Sequence, residues 1–169
     1  ATVAFATVAF LCFGEQVNIS SALIKQIIML QDADTWSYLR KHYLPTEYHT
    51  LFSIIDGHSQ KFHKVPTFED LKFEIRDTAS RDKLLAIEAL DVEADPSMLL
   101  QYLKNEYTQK EILDSLETYI DNSVAFENAE ESVTHLHQIV LDVEKKVDLQ
   151  PPQESMQRIS LFEDDEEIS

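Results

Sequence analysis

VTHLHQIVLDVEKKV, residues 133–147, places valine or leucine at 133, 136, 140, 143 and 147. The steps are three, four, three and four residues, the seam of an a/d helix, and no strand has that period. Just upstream, Asn128 stands three residues before Glu131, which predicts a capped helix start. Further upstream, Asp95-Pro96 is another start, with the carboxylate as cap and proline at the first helical position. From Ser97 neither glycine nor proline occurs until Pro151. Leu99, Leu103, Tyr107, Leu113, Leu116, Ile120 and Val124 form a second long apolar stripe, broken around residues 125–128. Two long helices joined by a short polar turn predict an antiparallel helical hairpin over 95–147.

Residues 20–94 read as a small globular helical domain ahead of that hairpin. Ser20 or Ser21 caps a first helix carrying Leu23, Ile24, Ile27, Ile28 and Leu30. A second segment holds Trp36, Tyr38 and Leu39. Leu44-Pro45-Thr46-Glu47 opens a third, with Thr46 as cap, Tyr48, Leu51, Phe52 and Ile55 as stripe, and Gly57 as stop. Residues 58–66 read as a polar loop. Thr67-Phe68-Glu69-Asp70 is an acidic variant of the capping box, and Leu84, Leu85, Ile87 and Leu90 mark a helix over about 80–90. No segment of the body alternates as a strand does. The expected fold is all-α: a small helical bundle followed by a long antiparallel helical hairpin.

The two ends differ from this body. Residues 1–10 repeat ATVAF twice, too short for a repeat architecture, and residues 1–19 are expected to be an arm, foreign to the natural chain or packed on a neighbour. Residues 148–169 form an acidic linker: Pro151-Pro152 breaks the helix and 163–167 are five consecutive acids. Met156, Ile159 and Phe162 fall three apart between them, which suggests a short linker helix.

Composition excludes several functions. With 169 residues, 44% of them apolar, the chain can bury a real core. The only glycines, Gly14 and Gly57, precede Glu15 and His58. Neither a Walker A loop nor a dinucleotide fingerprint can be built from them. Lys and Arg number 14 against 31 Asp and Glu, a net charge of -17, so strong direct nucleic-acid binding is not expected. Such acidity favours solubility and attraction to basic partners. Cys12 stands alone, which forbids an internal disulfide and a Cys-rich zinc site and fits a reducing cytoplasm. No Lys or Arg precedes Lys25, so a secretory signal is not expected, and the apolar run 1–13 is shorter than the roughly 20 residues a span needs.

No catalytic constellation emerges. His135 and His137 are two apart and diverge on a helix, and His58 with His63 lacks a third ligand. His42, His49 and these four read as surface histidines. Adjacent carboxylates such as Asp32 with Asp34, or Glu69 with Asp70, do not converge on a helix. The expectation is no enzyme activity, metal or cofactor in these residues. The apolar residues of the two long helices must instead meet each other, the body, or another copy. Candidate interface residues are Tyr107, Leu113, Leu116, Tyr119, Ile120, Val133, Leu136, Val140 and Val143, with Tyr102 and Phe126 as further aromatics.

Residues 44–75, LPTEYHTLFSIIDGHSQKFHKVPTFEDLKFEI, resemble the N-terminal domain of DnaB-family replicative DNA helicases. The resemblance rests on Leu44, Pro45, Tyr48, Phe52, Ile55, Val65, Pro66, Thr67 and Leu71. SSALIKQIIMLQDADTW is similar to that family's first helix, and AEESVTHLHQIVLDVEKKV to the second arm of its hairpin; the likeness covers about 20–147. It implies an oligomeric collar, dimer to hexamer, whose hairpins pair between subunits and which contacts primase or a helicase loader. It implies a linker helix, for which Met156, Ile159 and Phe162 qualify, and a motor that takes ATP and Mg. No Walker A loop occurs here, so the sequence is read as a collar fragment, phage-encoded and acting in the bacterial host cytoplasm. The alternative is a stand-alone loader or adaptor sharing the collar fold.

Overall fold

The computed structural model describes residues 19–147, and among them there are helices and no strand. Helix α1 covers residues 19–30. It is followed by α2 (Ala33–Tyr38), α3 (His49–Phe62), α4 (Phe68–Glu74), α5 (Thr78–Glu88), α6 (Pro96–Asn122) and α7 (Ala129–Val147). Single 3-10 turns lie at Lys41–Tyr43, Thr46–Tyr48 and Val124–Phe126. The compact units divide between Gln109 and Lys110, inside α6. Expectation put the boundary at the start of that helix. The difference has a packing cause: Leu99 and Leu103 belong to the buried core of the first unit, and Leu100 and Tyr107 pack against it.

The first unit is built on α1, which buries Leu23, Ile24, Ile27 and Ile28. Polar side chains of α1 also tie down the segment after α5. Lys25 donates its ammonium to the carbonyls of Glu88 and Leu90, and Gln26 Nε2 donates to the Ala94 carbonyl at 2.8 Å. Helix α1 ends in a left-handed residue, Gln31, at φ 52°. The Asp32 N–H returns to the Ile27 carbonyl and the Gln31 N–H to that of Ile28, the paired bonds of a Schellman end.

Helix α3 departs from expectation at both ends. Thr46 does not cap it; Thr46–Tyr48 is a 3-10 turn that leads into it. Gly57 does not stop it, and no glycine has positive φ among the described residues. The helix runs on to Phe62 and is closed by His63, whose backbone at φ 55° is left-handed and donates its N–H to the Ser59 carbonyl. The extra turn is held by His58, which is buried and not on the surface as expected. Its Nδ1 lies 2.6 Å from Glu74 Oε1, across in α4.

The expected box opens α4: the Asp70 N–H donates to the Thr67 hydroxyl and the Thr67 N–H to the Asp70 carboxylate. Asp77 caps α5 by accepting from the Ser80 N–H at 2.8 Å, and Asp95 accepts from the Ser97 N–H at the start of α6. Tyr107 sits half-buried, its ring 5.4 Å from that of Tyr43 and 5.3 Å from that of His42.

The second unit joins the C-terminal half of α6 to α7. Asn128 and Glu131 form a reciprocal cap at the start of α7: the Glu131 N–H donates to Asn128 Oδ1 and the Asn128 N–H to Glu131 Oε2. Two contacts set the direction of α7. The Tyr119 and His135 rings meet edge-on at 4.6 Å, and Lys146 Nζ donates to Glu111 Oε2 at 2.7 Å. A step back along α6 is matched by a step forward along α7, so the two segments run in opposite directions.

Candidate assembly interface

The contact line of the second unit fixes which residues face inward. On α6 it passes through Tyr119, which is buried against His135. On α7 it passes through Ser132, His135, Ile139 and Val143, which are buried or half-buried. Polar contacts lie along it too, because His135 Nδ1 sits 2.9 Å from Glu127 Oε1. The Glu111 carboxylate, through its hydrogen bond first and its charge second, raises the Lys146 ammonium above the ordinary lysine range.

Helical geometry places the other residues. At about 100° per residue, Leu116, Ile120 and Leu113 lie roughly 60–120° round from Tyr119. On α7, Leu136, Val140 and Val133 lie roughly 60–120° round from Ile139 in the same rotational sense. Both helices are right-handed and they run oppositely, so equal rotations from the contact line carry residues to the same side. Six of the expected interface residues therefore share one flank. Val133 is 68% exposed, Ile120 61%, Val140 53% and Leu113 47%. Leu136 is exposed and Leu116 half-buried on the same flank.

The opposite flank carries Glu111, Thr118 and Asn122 from α6, with Glu131, Gln138 and Asp142 from α7. It is polar throughout. The second unit thus has one apolar side and one hydrated side, and nothing in the described chain covers the apolar one. Five of the six apolar residues on that flank are exposed, which makes it the second unit's candidate contact surface.

The remaining expected residues fall elsewhere. Tyr119 and Val143 point into the contact between α6 and α7, and Tyr107 packs on the first unit. Phe126, at 85% exposure, stands at the turn between the helices, and Tyr102 is exposed on the first half of α6. Met156, Ile159 and Phe162 lie outside the described residues. Sequence reading treated 133, 136, 140, 143 and 147 as one seam and missed Ser132, His135 and Ile139 as the inward line. Their own three-and-four spacing was the signal.

Among the described residues no group of three His, Cys, Asp or Glu side chains is placed to hold a metal ion. No described helix is long and apolar enough to cross a membrane. No protein family, curated protein or solved structure matches this chain.

Proposed function

We propose that these residues are the N-terminal oligomerisation and partner-docking domain of a hexameric replicative DNA helicase of the DnaB kind. In this reading a small helical bundle carries a long antiparallel helical hairpin, and hairpins of neighbouring copies pair through their apolar flanks to organise the collar. The domain offers its remaining surface to primase or a helicase loader in the cytoplasm. ATP and magnesium belong to a motor that such a collar accompanies.

The observation that carries the reading is the flank of Leu113, Leu116, Ile120, Val133, Leu136 and Val140, apolar on both helices and uncovered. A symmetric pair needs a self-complementary patch, and an apolar flank shared by the two helices can supply one. A standard interface buries about 800 Å² per partner. The test is mass in solution by light scattering over a wide concentration range. Dimers, trimers or hexamers that dissociate on dilution support the collar. A strict monomer of 19.5 kDa overturns it and leaves the stand-alone loader or adaptor.

A further inference from the structure

The turn between α6 and α7 carries its own apolar surface, apart from the flank. Phe126 stands there with 85% of its surface exposed, and Val124 beside it with 41%. The turn that holds them is fixed from both sides. The Phe126 N–H donates to the Ser123 carbonyl at 3.0 Å. Asn128 and Glu131 cap each other at the start of α7. Glu127 Oε1 lies 2.9 Å from His135 Nδ1, and the His135 ring meets that of Tyr119. A ring presented from an ordered turn costs a partner little further ordering.

Charge is divided unevenly along the chain. Residues 20–109 hold fourteen Asp and Glu against ten Lys and Arg. Between Lys110 and Lys145 there are nine Asp and Glu and no Lys or Arg. Lys110 and Lys146 pair with Asp114 and Glu111, at the end of the second unit away from the turn. Around Phe126 stand Asp121, Glu127, Glu130 and Glu131. Folding accounts for three of these: Glu131 caps, Glu127 holds His135, and Glu130 lies at the helix end that favours an acid. Asp121 has no such account. It lies in the last turn of α6, where the helix dipole disfavours a carboxylate, and no base accompanies it there. Two buried acceptors at the root of the turn are also unmet. Neither the hydroxyl of Tyr119, a residue 5% exposed, nor Glu127 Oε2 has a hydrogen-bond partner. Lys and Arg bring donors only.

We propose that this turn docks a cationic partner protein, through an apolar surface bordered by Lys and Arg, of which a basic amphipathic helix is the simplest form. Phe126 and Val124 pack on the apolar face, and the partner's cations pair with Asp121 and Glu130 and donate to the Glu127 carboxylate. The net charge of -17 draws such a partner in and repels nucleic acid. A second copy of this chain is the wrong occupant, because its own turn is equally acidic. The inference rests on the partner-docking part of the proposed function and names its surface; it does not need assembly, since a monomeric adaptor carries the same turn.

The experiment uses the full chain and a fluorescein-labelled basic amphipathic peptide, acetyl-Lys-Leu-Ala-Lys-Leu-Leu-Lys-Arg-Leu-Ala-Lys-Leu-amide, followed by anisotropy. Saturable binding is expected, weakened about tenfold by Phe126→Ala, as for a truncated aromatic anchor. Asp121→Asn with Glu130→Gln should weaken it comparably. Asp91→Asn with Glu93→Gln removes the same charge from exposed positions of the first unit and should leave binding unchanged. Asp121→Asn alone should raise the melting temperature while weakening binding, which an acid serving only the fold would not do. Phe126, Asp121 and Glu130 are exposed, so circular dichroism should stay as it is. Val140→Asp on the apolar flank should leave peptide binding intact, so a strict monomer that still binds overturns the collar and not this inference. No saturable binding, or binding indifferent to Phe126→Ala, overturns it. Equal weakening by the two charge pairs does so too, since it reduces the effect to the attraction of any cation. Loss in Val140→Asp with retention in Phe126→Ala assigns the peptide to the flank and overturns it as well.

Discussion

Val140→Asp separates assembly from folding at one position. Val140 lies mid-way along α7 with 53% of its surface exposed, on the flank left uncovered by α6. In a symmetric pair it is buried once in each copy. Covering the exposed half of a valine stabilises by about 1 kcal/mol. An unpaired carboxylate pushed into the same apolar contact costs several kcal/mol more. With both copies altered, the pair loses at least about 4 kcal/mol, close to a thousandfold in dissociation constant.

The isolated chain should barely notice the change. Valine and aspartate differ little in helix propensity. Glu144, one turn on, adds like-charge repulsion of only about 0.3 kcal/mol. Sedimentation or light scattering across a hundredfold concentration range should show the variant dissociating where the parent is assembled. Helical circular dichroism should stay within a few per cent of the parent. Gln138→Asp, on the hydrated flank, adds the same charge and should leave assembly intact. If Val140→Asp assembles like the parent, or Gln138→Asp disrupts assembly equally, the apolar flank is not the interface.

Three further outcomes follow from the first unit. Leu103→Ala removes a fully buried side chain of α6 and should cost about 2–5 kcal/mol in urea unfolding; a cost under 1 kcal/mol would detach α6 from that core. His63→Gly relieves a left-handed backbone in an exposed residue and should raise stability by about 1 kcal/mol in the same assay. The Thr67 backbone N–H and then its hydroxyl hold the Asp70 carboxyl below the ordinary value of 3.8, and the Ser80 hydroxyl and then its N–H do the same for Asp77. A depressed folded pKa contributes stability above the unfolded value that is lost as pH falls through the folded one. Stability should therefore decline as pH drops below about 3.8, and Asp70→Asn with Asp77→Asn should flatten that decline.

Local signals were legible in the sequence where chemistry and position coincide. Thr67 with Asp70, Asp95 before Pro96, and Asn128 with Glu131 all read as caps and all make cap hydrogen bonds. Each depends on residues within one turn, so no tertiary contact can override it cheaply. Gly57 misled because a glycine permits a left-handed end without requiring one. What carries α3 past it is the bond from His58 to Glu74, sixteen residues away in sequence. The heptad of α7 was legible as a helix, but its facing was not. Residues 133, 136 and 140 and residues 132, 135 and 139 share the same spacing. Packing chose the second set, placing His135 where it meets both Glu127 and the Tyr119 ring. Apolar count alone would have chosen the first.

That choice leaves the more apolar stripe facing out, on a chain whose net charge of -17 opposes any approach of a second copy. Association through the flank must overcome that repulsion with buried apolar area, so the two forces should separate under salt. The screening length falls from about 10 Å at 0.1 M to about 3 Å at 1 M, which removes the repulsion and leaves burial untouched. Assembly should therefore tighten as sodium chloride rises from 0.05 to 1 M, read as a shift of the dissociation midpoint to lower protein concentration. Assembly that loosens with salt would mean that ion pairs, and not Leu113, Ile120, Val133 and Val140, hold the copies together.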